Sequence, residues 1–80
     1  MIKVYLFAGL AEAAGKRVLE ISVEEKISTQ ELKRLLVEQY PDLGNLLDKS
    51  IVAVNKEYAD EWKWISDQDE VGMIPPVSGG

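Results

Sequence analysis

Apolar and polar residues alternate along the chain from the second position. In "IKVYLFA" (residues 2–8), Ile2, Val4 and Leu6 fall on one face of an extended strand, and Lys3, Tyr5 and Phe7 on the other. "GLAEAAGK" (residues 9–16) is Ala-rich between glycines and predicts a short helical turn in a connector. "RVLEISV" (residues 17–23) predicts a second strand with Leu19, Ile21 and Val23 buried, paired with the first as a hairpin with a long loop. The period then changes. Ser28 followed three residues later by Glu31 is a capping box. Leu32, Leu35, Leu36 and Tyr40 form one apolar helical stripe, which Pro41 ends by pushing the preceding residue out of the α region.

After the helix, "PDLGNLLDKS" reads as a loop with at most one helical turn. "IVAVN" (residues 51–55) predicts a third strand, with "NKE" as its turn. "YADEWKWI" predicts short extended segments, and "SDQDE" a turn by composition. "VGMIPPV" (residues 71–77) predicts a last strand, closed where prolines remove backbone donors. Several hairpin strands and one real helix indicate an α+β domain, with the helix across one face of a mixed sheet. At 80 residues the chain holds one small core and a single domain.

Composition narrows the chemistry. There is no cysteine and no histidine, which removes disulfides, thiolate nucleophiles and the commonest general base and metal ligand. Net charge is −5, with no basic patch, so nucleic acid is not an expected partner. An acidic surface instead suits a basic protein groove. No apolar run reaches membrane-span length and no signal-peptide core precedes the first strand, so the expected location is cytoplasmic, with no membrane partner. Asp67, Asp69 and Glu70 read as turn chemistry rather than a metal site. Trp62 and Trp64 read as edge packing, with contact to a partner as the alternative.

The final stretch is "IPPVSGG" (residues 74–80). Two glycines add little to a fold, because they lose the most backbone entropy on ordering. They suit a thin tail whose end must reach a reacting centre. The first strand, the capped helix, "IVAVN", "DQDEV" and above all "PPVSGG" together resemble the small subunits of molybdopterin synthase, the MoaD-type family of ubiquitin-like β-grasp sulfur carriers. The resemblance runs through the whole chain. It departs from the family pattern at "GMI" before the prolines, where an aromatic residue is common, and at Leu10–Ala11, where an arginine often stands.

The resemblance implies a β-grasp domain over residues 1–77 and a flexible reactive tail over 78–80. It implies that the Gly80 carboxylate is adenylated by an activating enzyme that consumes ATP, and is then converted to a thiocarboxylate with sulfur from a donor protein. Gly79 lets the tail thread a narrow channel, and Pro75 and Pro76 stiffen its exit. The loaded tail enters the large subunit of the synthase and gives sulfur to precursor Z, forming the molybdopterin dithiolene. Two carriers on a large-subunit dimer would make a heterotetramer. The carrier itself would bind no cofactor and act as a co-substrate. In such a sheet the first and last strands are central neighbours, so Phe7 and Ile74 share the face the helix leaves uncovered. Tyr58 extends that face, and Val77 and Ser78 join Pro75 and Pro76 as partner contacts. The alternatives are a thiamine-pathway sulfur carrier, a ubiquitin-like modifier of lysines, and a non-reactive adaptor.

Overall fold

A computed structural model of the protein describes residues 1–76. Its elements in chain order are β1 (Ile2–Leu6), α1 (Ala8–Ala14), β2 (Val18–Ile21), β3 (Ile27–Ser28) and α2 (Thr29–Gln39). A 3-10 turn (Pro41–Leu43), α3 (Gly44–Lys49), β4 (Ile51–Val54), β5 (Glu57–Ala59), β6 (Trp64–Ile65) and β7 (Glu70–Ile74) follow. Five strands form one sheet in the order β2-β1-β7-β4-β5. β1 and β7 pair in parallel at its centre, with Val4 opposite Val71 and Tyr5 opposite Gly72. The other pairs, β1–β2, β4–β7 and β4–β5, are antiparallel. The sheet is therefore mixed, as the strand patterns and the lone long helix indicated, and the architecture is the ubiquitin-like β-grasp that the resemblance implied.

Alternation in the strands selects the core. Ile2, Val4, Leu6, Leu19, Ile21, Val52, Val54, Val71 and Met73 are buried on one face. α2 lies against them through Leu32 and Leu36, with Leu35 and Tyr40 packed at the border. The Ser28 hydroxyl accepts a hydrogen bond from the Glu31 N–H at 3.1 Å, which is the N-terminal half of the capping box read from the sequence. Gly15 closes α1 in the left-handed region at φ 71°, where a glycine avoids the Cβ penalty.

Two expectations need correction. "PDLGNLLDKS" is largely helical rather than a loop: the 3-10 turn and α3 fill it, and Leu43 and Leu47 complete the core. The helix is only six residues long, too short for an apolar stripe to establish a period. Trp62 and Trp64 do not pack at an edge, being 69% and 62% exposed. The residues expected to form the tail, 78–80, lie outside the described residues, as does Val77.

A polar latch joins the β4–β5 turn to the turn before β7. Asn55 and Lys56 both occupy positive φ, at 53° and 70°, which bends the hairpin tightly. The Asn55 amide donates to Asp69 Oδ1 at 3.0 Å and its oxygen accepts from the Glu70 N–H at 3.0 Å. Asp69 also accepts from the Ser66 N–H at 2.8 Å. These bonds account for "VN" and "DxDEV" as one structural unit. The Ser66 N–H first, then the Asn55 amide, hold the Asp69 carboxyl below the usual carboxylate range.

Two measurements check this account. Met73→Ala, which opens a void in the core behind β7, costs about 3 kcal/mol, read as a lower urea midpoint at unchanged slope. Asp69→Ala costs on the order of 1 kcal/mol at neutral pH. Because the folded Asp69 pKa is depressed, its contribution is present above the unfolded value of about 4 and is lost as pH falls through the folded value. The stability gap between wild type and Asp69→Ala therefore narrows in acid.

Candidate docking face and C-terminal approach

The side of the sheet opposite α2 carries the second set of alternating residues. Register places Tyr5, Gly72, Ala53 and Tyr58 in one row across β1, β7, β4 and β5. Ile51 stands opposite Ile74 one step along. Tyr5, Phe7, Ala53, Tyr58, Gly72 and Ile74 line one shallow depression, with Lys56 and Glu70 at its rim. Phe7 is 49% exposed and Tyr58 78% exposed, so both offer aromatic surface to solvent. The structure thus brings the three predicted residues Phe7, Tyr58 and Ile74 onto a single face.

Gly72 explains how Phe7 lies there. A Cβ built on Gly72 would sit 3.1 Å from Phe7 Cε2, so the ring covers the strand where a side chain is missing. A glycine inside a strand weakens it unless something approaches closely, and here the aromatic ring does so. This residue was passed over as a departure from the family pattern. The available signal was an isolated glycine in an otherwise continuous strand. Phe7 is held from behind as well: its N–H donates to the Met73 carbonyl at 3.3 Å, continuing the β1–β7 ladder past the strand end.

β7 ends at Ile74, on this uncovered face, and Pro75 and Pro76 come next. Pro75 is buried and Pro76 exposed. Pro75 therefore sits within the domain, and the chain leaves the described structure beside the Phe7–Ile74 face. Val77, Ser78, Gly79 and Gly80 lie outside the described residues. A cleft of about 600 Å³ runs on the other side between α2 and β4. It mixes Lys33, Arg34, Asp48 and Glu61 and contains none of the predicted site residues.

Known proteins resemble this chain along its length. The model of the ThiS family matches residues 4–80. A molybdopterin synthase sulfur carrier subunit from Dictyostelium discoideum is 41% identical over 81 residues, covering 98% of this chain and 94% of that protein. The corresponding subunit from Homo sapiens is 34% identical over 82 residues, covering 99% of this chain and 93% of that protein. The crystal structure of SAMP1, from Haloferax volcanii, superposes with a TM-score of 0.81 at 33% identity, covering 99% of this chain and 98% of that one. The family match spans the first strand, the capped helix, the Asn55–Asp69 latch and "PPVSGG" alike, so the chain belongs to the ThiS family as a ubiquitin-like member of MoaD type.

Proposed function

We propose that this chain is the sulfur-carrying small subunit of a molybdopterin synthase. The observation that carries the reading is the position of the β7 end. The strand that completes the apolar face, through Gly72 and Ile74, runs directly into "PPVSGG". A partner that grips Phe7, Tyr58 and Ile74 therefore receives the following residues at a fixed starting point. Buried Pro75 fixes that point, and the two prolines restrict φ beyond it, so less chain entropy is lost on docking.

The chemistry then belongs to Gly80. A carboxylate is a poor electrophile. An activating enzyme joins it to AMP from ATP and releases pyrophosphate; a persulfide on a donor protein then displaces the AMP to give an acyl disulfide, and a second protein thiol cleaves its S–S bond, leaving the thiocarboxylate and a protein disulfide. The resulting thiocarboxylate gives its sulfur to precursor Z in the active site of the large subunit. Gly79, lacking a side chain, permits close approach of the reacting carbon. The acid–base groups come from the partners, and this chain serves as a co-substrate. Val77 and Ser78, between the prolines and the reacting end in sequence, serve in this reading as partner contacts.

A second reading has support of its own, since the similar Haloferax structure is that of a small archaeal modifier protein. In that reading the activated Gly80 carboxylate is passed to a lysine amine. The two readings share activation and differ in the acceptor. Mass spectrometry of protein from cells separates them: one oxygen replaced by sulfur at Gly80 marks the carrier, and an isopeptide bond from Gly80 to lysine marks the modifier.

The tail is tested by deleting Gly80, by extending the chain one residue beyond it, and by Gly79→Val. Thermal stability moves little in each, while pyrophosphate exchange with the activating enzyme and thiocarboxylate formation collapse. A displacement of one residue, about 3.5 Å of chain, removes the reacting atom from a site that requires close alignment. Sulfur loading of the Gly80-deleted protein at the wild-type rate excludes the carrier reading. The face is tested by calorimetric titration of the large subunit with Phe7→Ala/Ile74→Ala. Each truncation costs about 2 kcal/mol of binding where the residue is a central anchor, with the fold retained. Gly72→Ala leaves the core intact and weakens binding by displacing the Phe7 ring.

A further inference from the structure

Two tryptophans remain outside the face just described. Trp62 and Trp64 are 69% and 62% exposed, and only Lys63 separates them. Their segment runs past the N-terminal end of α2. The Thr29 N–H donates to the Lys63 carbonyl at 3.0 Å and the Gln30 N–H to the Glu61 carbonyl at 3.1 Å. β6 pairs with β3, setting Trp64 opposite Ser28 and buried Ile65 opposite Ile27. Because Ile65 points into the core, strand alternation turns Trp64 outward. The Trp62 N–H donates to Asp60 Oδ1 at 2.9 Å, which fixes the turn that presents it. Neither indole is positioned by accident of a loose loop: backbone bonds on both sides hold the segment.

Surrounding charge identifies what this surface attracts. Between residues 57 and 70 stand Glu57, Asp60, Glu61, Asp67, Asp69 and Glu70, against the single cation Lys63. The first N–H groups of α2 are already taken by the crossing carbonyls and by Ser28, so an anion would find only Lys63 and the indole N–H groups as donors in a stretch dominated by carboxylates. A second copy of the chain brings the same acidic stretch and a net charge of −5, so like charges oppose self-association through this face. A guanidinium is favoured twice. It stacks on indole faces by cation–π attraction and pairs with carboxylates of the same stretch such as Glu61, next to Trp62 in the chain, and it gives up its hydration more readily than an ammonium.

We propose that Trp62 and Trp64 form a second docking surface, distinct from the Phe7–Ile74 face, for an arginine-bearing segment of a partner protein. This surface does not depend on the sulfur chemistry, and its test does not use the tail. The intact protein is titrated at low ionic strength with a peptide of alternating Arg and Gly, and with its Lys counterpart. Both indole Nε1–H resonances shift, and the Arg peptide binds more tightly than the Lys peptide. Trp62→Ala/Trp64→Ala, which leaves every charge in place, binds the Arg peptide roughly tenfold more weakly. Trp62→Leu/Trp64→Leu keeps apolar bulk, loses the aromatic quadrupole, and is weakened to a similar degree. Circular dichroism confirms that both variants are folded. Wild-type affinity in either variant overturns the proposal, because net charge or apolar area alone then explains binding. A wild-type dimer in sedimentation that both variants lack also overturns it, by assigning the surface to a second copy.

Discussion

The parallel pairing of β1 with β7 is the constraint on which the rest of the molecule depends. The two strands lie near opposite ends of the sequence, and their ladder, Lys3 with Glu70 through Leu6 with Met73, is the centre of the sheet. Bringing them together costs the closure entropy of nearly the whole chain, which hydrophobic burial on both strands must offset. Val4, Leu6, Val71 and Met73 are all buried along this seam. The same pairing has a functional result. It sets Phe7, just past the end of β1, beside Gly72 and Ile74 near the end of β7, so the uncovered aromatic face and the start of the C-terminal stretch become one feature.

Phe7 and Gly72 show how that seam is finished. A central strand normally presents a side chain at every second position, and a glycine there forfeits packing and backbone order. Phe7 recovers part of that loss by laying its ring over the gap while half its surface stays exposed. The arrangement produces a broad, shallow aromatic surface rather than a ridge. A partner can lie flat on it, with Tyr58 of β5 at one side, Phe7 after β1 at the other and Ile74 of β7 between them.

Much of this was legible in the sequence, for identifiable reasons. Strict alternation in β1 and β7 assigned their faces, and the Ser28–Glu31 spacing located the start of α2. From these an α+β sheet with one helix across it followed, while the central pairing of the first and last strands, and with it the grouping of Phe7 with Ile74, came from the family resemblance. The misses also have physical causes. α3 is too short to show a helical period, and its Gly44 and Asn45 resemble a loop. Gly72 looked like a gap because its partner, Phe7, is distant in sequence and adjacent only after the terminal strands pair. The tryptophans misled for a related reason: large apolar side chains suggest packing, and only the β3–β6 pairing shows which neighbour, Ile65, turns inward in their place. Reactivity at Gly80 is a different matter, since it rests on motif and family rather than on anything that packing displays.

The placement of aromatic side chains separates the two tasks of this small domain. Among the described residues, the buried apolar core consists of Ile, Val, Leu and one Met, with no Phe, Tyr or Trp in it. Phe7, Tyr58, Trp62 and Trp64 are exposed, and Tyr5 and Tyr40 are half-buried. Aromatic residues supply the largest burial per side chain, so a domain of this size gives up stabilisation by leaving them outside. Aliphatic residues fill narrow space between one helix and a sheet with well-defined rotamers, and the core closes without aromatics. The aromatics are then free to serve as contact area, where a rigid ring adds binding surface at low entropic cost. Their division between the uncovered sheet face and the acidic segment beside α2 means that contact at one leaves the other accessible. On the proposed function, a carrier handed between proteins would gain from that separation, because a second hold would not compete for the face beside which the C-terminal stretch begins.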